Sequence, residues 1–103
     1  MKTDTITTID RYKSSPAYGQ KVWPAVILLD KPRAGYDPKQ HITGAVAHGQ
    51  EVEIVDKQQA HDDLWCLVRC DIEHEGEVYH QEGWCKRQLL ENEGASYFEE
   101  VNK

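Results

Sequence analysis

The sequence predicts an all-β protein, a small barrel or sandwich built from short strands. Three observations favour this class: apolar runs of strand length, turn residues that separate them at short intervals, and alternation of apolar and polar residues within the runs. The chain has 103 residues, which is enough for one domain with its own core. Three Trp and five Tyr argue against wholesale disorder.

The first part of the chain predicts an extension followed by the start of the domain. Residues 1–20 are expected to be an N-terminal extension, either flexible or an added strand, because their β-prone Thr-rich start ends in a turn at residues 14–16. Residues 21–103 are expected to form the barrel. Residues 22–29 are an apolar run of strand length. Residues 30–41 contain two Pro and a Gly, which predicts a long ordered loop.

The middle of the chain predicts an antiparallel hairpin. Residues 51–56 alternate well enough for a half-buried strand, and residues 64–70 are rich in strand formers. Residues 73–76 have the composition of a hairpin tip, and residues 78–85 continue as the return strand. Gly83 within the return strand indicates a bulge.

The last part of the chain predicts a short helical turn at residues 86–90 and a final strand at residues 96–98. Within the strand at residues 64–70, alternation places three small apolar side chains on one face: Cys66, Val68 and Cys70. This face suits the interior of a narrow barrel. Trp65 falls on the opposite face, where a large aromatic side chain needs a partner or a loop to cover it.

Three segments, taken in order, resemble the SH3 domain, and most closely its bacterial SH3-like (SH3b-type) version. They are GQEVEIVD at residues 49–56, LWCLVR at residues 64–69 and GWCKRQLL at residues 83–90. The family combines a Gly-led turn and strand, a Trp-x-x-Val-Arg-like strand, and Gly-Trp-Val before a short helical turn. The resemblance covers residues 22–92 and implies an SH3-like barrel of five to six short antiparallel strands, with a long loop after residue 29.

The same resemblance implies a peptide groove around Trp65, for which Tyr36 and Asp37 would supply loop partners. Two departures argue against the recognition of proline motifs. Residues 25–30 lack the groove tyrosines of the family, and the family's late Pro and Tyr are also replaced. The alternative interpretation is that Trp65 packs under the long loop.

The function favoured by these patterns is a non-catalytic module that binds another protein or a peptide. Its predicted surface combines aromatic and acidic side chains: Trp65, Tyr36, Tyr79, Trp84, Asp37, Asp62 and Asp63. Such a surface would suit a partner with a basic or aromatic patch. Two alternatives remain open. The chain would be a structural or assembly subunit of a larger complex, or, if it is exported, a module that binds cell-wall peptides.

Charge and cysteine content exclude several other classes. The net charge of −6 argues against nucleic-acid and anionic-membrane partners, because both need a basic surface. No apolar run is long enough for a membrane span. The N-terminus shows no secretory signal, and the three cysteines cannot all pair within one chain, so we expect a cytoplasmic protein.

No catalytic residue, metal site or cofactor is predicted. Cys66 and Cys70 lie four residues apart, which is about 13 Å along a strand and too far to share one zinc ion. A Cys66–Cys85 disulfide is conceivable across two strands, but a reducing compartment argues against it. The carboxylates fall on predicted loops and strand edges, which is typical of a solvated surface, and no phosphate-binding Gly loop is present.

Overall fold

A computed structural model describes residues 2–8, 25–33, 41–61 and 63–101. These ranges form one sheet of six antiparallel strands, which confirms the predicted all-β class. The strands are β1 (Lys2–Thr5), β2 (Val26–Leu29), β3 (Ile42–Val46), β4 (Glu51–Ala60), β5 (Asp63–His74) and β6 (Glu77–Lys86). A 3-10 turn (Arg87–Leu89) and a helix, α1 (Glu91–Val101), follow. The predicted helical turn after β6 is therefore confirmed.

The spatial order of the strands is β1-β4-β5-β6-β2-β3, so β4, β5 and β6 form a meander at the centre of the sheet. Among the described residues, the β2–β3 hairpin shares one ladder pair with this meander, Leu29 with Trp84. One antiparallel bridge, between Ile6 and Leu90, connects the residue after β1 to the residue after the 3-10 turn. Within the same described ranges, no other pairing joins the β1 segment to the segment that follows β6.

The hydrophobic core lies between the meander and the β2–β3 hairpin. Cys66 and Val68 are fully buried in it, and Cys70 packs at its margin, so the predicted inward face of β5 is confirmed. The other buried core residues come from β2, β3, β4 and β6, from the residue after β1 and from the residue before α1: Ile6, Val26, Leu28, Val46, Val52, Ile54, Cys85 and Leu90.

Gly83 lies where the β2–β3 hairpin passes over β6. A Cβ atom at this position would lie 2.7 Å from Leu28 Cβ and 2.9 Å from the Leu29 carbonyl oxygen, and it would overlap Thr43 Oγ1. The β5–β6 register is continuous through Gly83, so the bulge predicted there is wrong. Register shifts lie instead in β4, between Ile54 and Asp56, and in β2, between Leu28 and Leu29. Gly83 is needed for close packing of two strands rather than for a bulge.

The final strand predicted at residues 96–98 is also wrong, because α1 covers this segment. The helix begins next to β1, where the buried carboxylate of Asp4 accepts hydrogen bonds from the backbone N–H groups of Asn92 and Glu93, both at 3.0 Å. These donors have no partner within the helix, so Asp4 caps α1 from a distant strand. The tertiary contact outweighs the local β preference of the aromatic pair at residues 97–98.

Glu93 sits at the centre of an ionic cluster beside this cap. Its side chain is 4% exposed, and Oε1 accepts hydrogen bonds from Lys2 Nζ at 2.7 Å and Lys57 Nζ at 2.8 Å. Arg87 Nε lies 3.4 Å from the other carboxylate oxygen. Burial would raise the pKa of Glu93, but the hydrogen bonds and charges of Lys2 and Lys57 outweigh it and lower the pKa to about 2.

Because of this cluster, we expect the free energy of unfolding to decrease at acid pH. The pKa of Glu93 is lower in the folded than in the unfolded chain, so its stabilisation is present above about pH 4.5 and is lost as the pH falls toward about 2. We expect Glu93→Gln to lower the free energy of unfolding at pH 7 by about 2 kcal/mol and to flatten its slope between pH 5 and 2. Urea titrations at a series of pH values measure both the free energy of unfolding and its slope with pH. The exposed Glu99→Gln is the control, and a Glu93→Gln chain with the parent slope would contradict the assignment.

Candidate functional site

Trp65, the centre of the predicted groove, is covered by its own chain. The residue is 4% exposed, and its indole Nε1 donates a hydrogen bond to the Ala60 carbonyl oxygen at 3.2 Å. Lys86 Nζ lies 5.7 Å from the ring centroid, within cation–π distance. A ligand would therefore have to displace these contacts to reach the face of the indole.

The other predicted site residues do not all meet at Trp65. Trp84 is half-buried on the same face of the sheet, paired with Leu67 on β5. Asp63 is buried, with Oδ2 3.4 Å from Lys86 Nζ, and its Oδ1 has no hydrogen-bond partner among the described residues. Three predicted site residues lie outside the described residues: Tyr36, Asp37 and Asp62.

Tyr79 lies on the opposite face of β6 from Trp84, because the two residues are five positions apart and side chains alternate along a strand. The same spacing puts them about 16 Å apart along β6. Tyr79 is 45% exposed, and its hydroxyl donates a hydrogen bond to Glu77 Oε2 at 2.7 Å. The structure does not bring Tyr79 together with the tryptophans.

Tyr79 belongs instead to a two-stranded ribbon, residues 71–82, at the far end of the β5–β6 hairpin. Strand β4 pairs with β5 only as far as Arg69, and β2 pairs with β6 only at Trp84. From Asp71 to His74, β5 pairs with β6 alone among the described strands. Glu75 and Gly76 form the tip with φ of 53° and 81°, as a type I′ turn requires, which confirms the predicted hairpin tip.

The ribbon concentrates almost all of the net charge of the protein. It holds five carboxylates and neither Lys nor Arg: Asp71, Glu73, Glu75, Glu77 and Glu82. The remaining 91 residues hold thirteen acidic and twelve basic side chains, which nearly cancel. All five carboxylate residues are exposed, and His80 faces Asp71 across the ribbon within ion-pair distance. The ribbon is therefore an acidic projection on a nearly neutral body.

The ribbon also carries exposed apolar side chains. Val78 is 62% exposed, and Tyr79 pairs across the ribbon with Ile72, which is half-buried against the core. Val78 and Tyr79 point to opposite faces because they are neighbours on β6. Each face of the ribbon therefore combines apolar surface with carboxylates, a composition that suits recognition of another molecule.

A cleft of about 670 Å³ opens at the base of the ribbon, between the start of β4 and the β5–β6 pair. Its lining residues are Thr3, Gln50, Glu51, Val52, Glu53, Arg69, Cys70, Asp71, His80, Gln81 and Glu82. Arg69 is bound to Glu53, with Nη2 2.6 Å from Oε1. The walls hold four carboxylates against one arginine, so the cleft has the same sign of charge as the ribbon.

Sequence reasoning interpreted these carboxylates as an ordinary solvated surface and missed their concentration. The available signal was the stretch from Cys70 to Cys85, the part of the hairpin in which no Lys or Arg occurs although the rest of the chain is rich in both. What the sequence does not display is the wall formed by Glu51 and Glu53, because β4 reaches the ribbon only through sheet pairing.

The cysteines are part of the core rather than reactive groups. Cys66 and Cys85 lie directly opposite each other on β5 and β6, and both are free thiols. Burial raises the pKa of Cys66 to about 11 and raises the pKa of Cys85 as well, so neither forms the thiolate that nucleophilic chemistry needs. Within the described ranges, no group of three or more His, Cys, Asp or Glu side chains is arranged to hold a metal ion.

Comparison of this chain with protein-family models, with curated proteins and with solved structures finds no match in any of the three. In the part of the chain that the structure describes, no helix has both the length and the apolar character to cross a membrane.

Proposed function

We propose that this protein is a non-catalytic binding module that takes a basic segment of another protein on the acidic ribbon. The observation that carries the proposal is the concentration of charge: five exposed carboxylates without Lys or Arg project from a body whose charges nearly cancel. Such a field attracts a cationic partner and speeds its encounter. The exposed Val78 and Tyr79 add apolar contact area, one on each face of the ribbon.

The non-catalytic part of the proposal rests on the chemistry available at the ribbon and the cleft. Arg69 is held by Glu53, and Asp71 is paired with His80. Cys70 is the one thiol in the cleft wall, and burial raises its pKa. A binding role needs only the charge and shape of this surface.

We further propose that the scaffold is an SH3-like barrel, and three observations support this. Strands β4, β5 and β6 form a meander, a 3-10 turn follows β6, and Leu90 after this turn bridges back to Ile6. In this arrangement the first strand of the barrel is β1 rather than residues 22–29. The β2–β3 hairpin then lies between β1 and β4 in the chain, where the family has its long first loop.

The covered position of Trp65 favours the ribbon over the aromatic groove as the binding surface. Trp65 is buried by contacts within its own chain, whereas the ribbon residues are exposed. The sign of the charge further favours a protein partner over nucleic acid or an anionic membrane. A cytoplasmic location stays a prediction.

Binding of lysine-containing peptides tests the proposed function. The probe is a fluorescein-labelled octapeptide with four lysines and four valines, and anisotropy gives its dissociation constant at low and high salt. We expect Glu73→Lys/Glu75→Lys to weaken binding at least tenfold at low salt, because two attractive contacts become repulsive. The parent affinity should fall as salt is added.

The matched control changes the net charge equally but away from the ribbon. Glu99→Lys/Asp56→Lys alters one exposed residue on α1 and one on β4, and should weaken binding no more than about threefold, because neither residue lies on the ribbon or lines the cleft. Equal losses in the two double variants, or no binding by the parent chain at low salt, would contradict the proposed function.

A further inference from the structure

The ribbon has an open strand edge along β5. The two-residue turn makes His74 and Glu77 the closing hydrogen-bonded pair, and such pairs alternate along an antiparallel ladder. The N–H and C=O groups of Asp71 and Glu73 therefore point away from β6. Arg69 lies an even number of positions from Asp71 and Glu73, so its backbone groups point to the same edge. Arg69 pairs with Glu53 of β4 along that edge, which agrees with this assignment. Beyond Arg69, β4 no longer pairs with this edge.

The opposite edge of the ribbon is occupied at its base. Thr43 Oγ1 donates a hydrogen bond to the Glu82 carbonyl oxygen at 2.6 Å, and the Ala45 N–H donates to Gln81 Oε1 at 3.0 Å. Strand β3 therefore lies against β6 where an added strand would have to enter. Of the two edges, the β5 edge is the one that the described strands leave accessible.

The cleft lies beside the β5 edge at the point where β4 diverges from it. Its walls include Glu51, Val52 and Glu53 of β4 on one side and Arg69, Cys70 and Asp71 of β5 on the other. The cleft has a volume of about 670 Å³, which leaves room for an extended segment. Such a segment would pair with β5 beyond Arg69, where β4 no longer does. Open strand edges accept extended peptides through backbone hydrogen bonds.

We propose that the partner segment adds to the sheet as an extended strand along the Asp71–Glu73 edge of β5, with basic and apolar residues in alternation. This inference rests on the proposed function and specifies how the basic segment binds. Side chains on one face of the added strand meet Asp71 and Glu73. Those on the other face lie beside the Ile72–Tyr79 pair. Lysine or arginine suits the first face, and valine or isoleucine suits the second.

The charge of the edge decides against a second copy of this chain as the added strand. Pairing two β5 edges would bring Asp71 and Glu73 of one copy against the same residues of the other. Like charges that face each other across strands are destabilising. A strand with positive charges at alternate positions turns the same contacts into attractions.

Three peptides of identical composition and charge test the binding mode. The first is acetyl-(Lys-Val)4-amide. The second is the same peptide N-methylated at two adjacent central residues, which removes one backbone donor from each of its edges. The third has four lysines followed by four valines. We expect the second and third to bind about tenfold more weakly than the first, because backbone hydrogen bonds or the matched faces are lost.

Two variants of the protein test the same edge. Glu73→Pro removes the outward N–H group and one charge, whereas Glu73→Gln removes the charge alone. We expect Glu73→Pro to bind the first peptide about fivefold more weakly than Glu73→Gln does. Circular dichroism checks that both variants fold. Amide hydrogen exchange at Asp71 and Glu73 should slow when the first peptide binds to the parent chain.

The outcomes separate this inference from the proposed function. If all three peptides bind equally and Glu73→Pro matches Glu73→Gln, strand addition is overturned while the binding of basic segments stands. If none of the peptides binds the parent chain at low salt, both are overturned.

Discussion

Replacing Asp4 with alanine should lower the free energy of unfolding by about 3 kcal/mol, because a buried carboxylate that caps a helix would be lost. Asp4 is 3% exposed. Its oxygens accept hydrogen bonds from the N–H groups of Thr5, Asn92 and Glu93 at 2.7, 3.0 and 3.0 Å. The substitution removes the acceptor of the Asn92 and Glu93 N–H groups at the start of α1, where Asp4 and Glu93 are themselves buried.

Urea unfolding followed by tryptophan fluorescence measures this loss, and hydrogen exchange should show faster opening of α1. Asp4→Asn keeps one acceptor oxygen and should lose about 1 kcal/mol. Asp56 is the matched control, since the one hydrogen bond that its exposed carboxylate accepts from the described residues comes from the adjacent Lys57 N–H. Asp56→Ala should stay within about 0.5 kcal/mol of the parent chain. An equally small effect of Asp4→Ala would show that the cap does not hold α1 to the sheet.

Gly83→Ala should destabilise the fold by about 3 kcal/mol, although it adds only one methyl group. The new Cβ would approach Leu28 Cβ to 2.7 Å and the Leu29 carbonyl oxygen to 2.9 Å, both closer than van der Waals contact allows. Neither atom lies at the end of a flexible side chain, so β2 must move away from β6. Among the described residues, Leu29–Trp84 is the one ladder pair between the hairpin and β6, and it lies next to Gly83, so this displacement would break it.

Two further variants check this explanation. Thr43→Ala in the Gly83→Ala chain removes one of the overlaps and should recover only a minor part of the loss, because the contacts with β2 remain. Gly76 at the ribbon tip has open space around it but a φ of 81°, so Gly76→Ala should cost about 1 kcal/mol through backbone strain alone. If Gly83→Ala is no more costly than Gly76→Ala, close packing of β2 on β6 is not what requires a glycine at this position.

Local patterns were sufficient to predict much of the meander. Alternation in β5 placed Cys66 and Val68 inside the core, and Glu75-Gly76 marked the hairpin tip that the structure confirms. The sequence also predicts the helical turn after β6, which is a 3-10 turn in the structure. Each of these features depends on residues a few positions apart, whose backbone preferences and side-chain directions survive in any fold that buries the apolar face.

The candidate site could be predicted only in part. Tyr79 is one of the predicted site residues, and it is exposed on the ribbon. Trp65 is the predicted centre of the groove, but it is buried and contacts Ala60 and Lys86. Sequence reasoning had no means to see that the carboxylates of the hairpin stand apart from basic residues in space. That separation depends on β4 pairing with β5 only as far as Arg69, which leaves the ribbon to project.

The sequence by itself determined the all-β class, the two faces of β5 and the position of the hairpin turn. The tertiary structure alone decided that residues 91–101 are helical and that residues 2–5 form a strand of the sheet. Residues 2–5 pair with β4, and Asp4 on this strand meets Glu93, 89 residues away, at the start of α1. Free energy from such a contact depends on burial and on partners brought together by the whole fold, so no local window of sequence contains it.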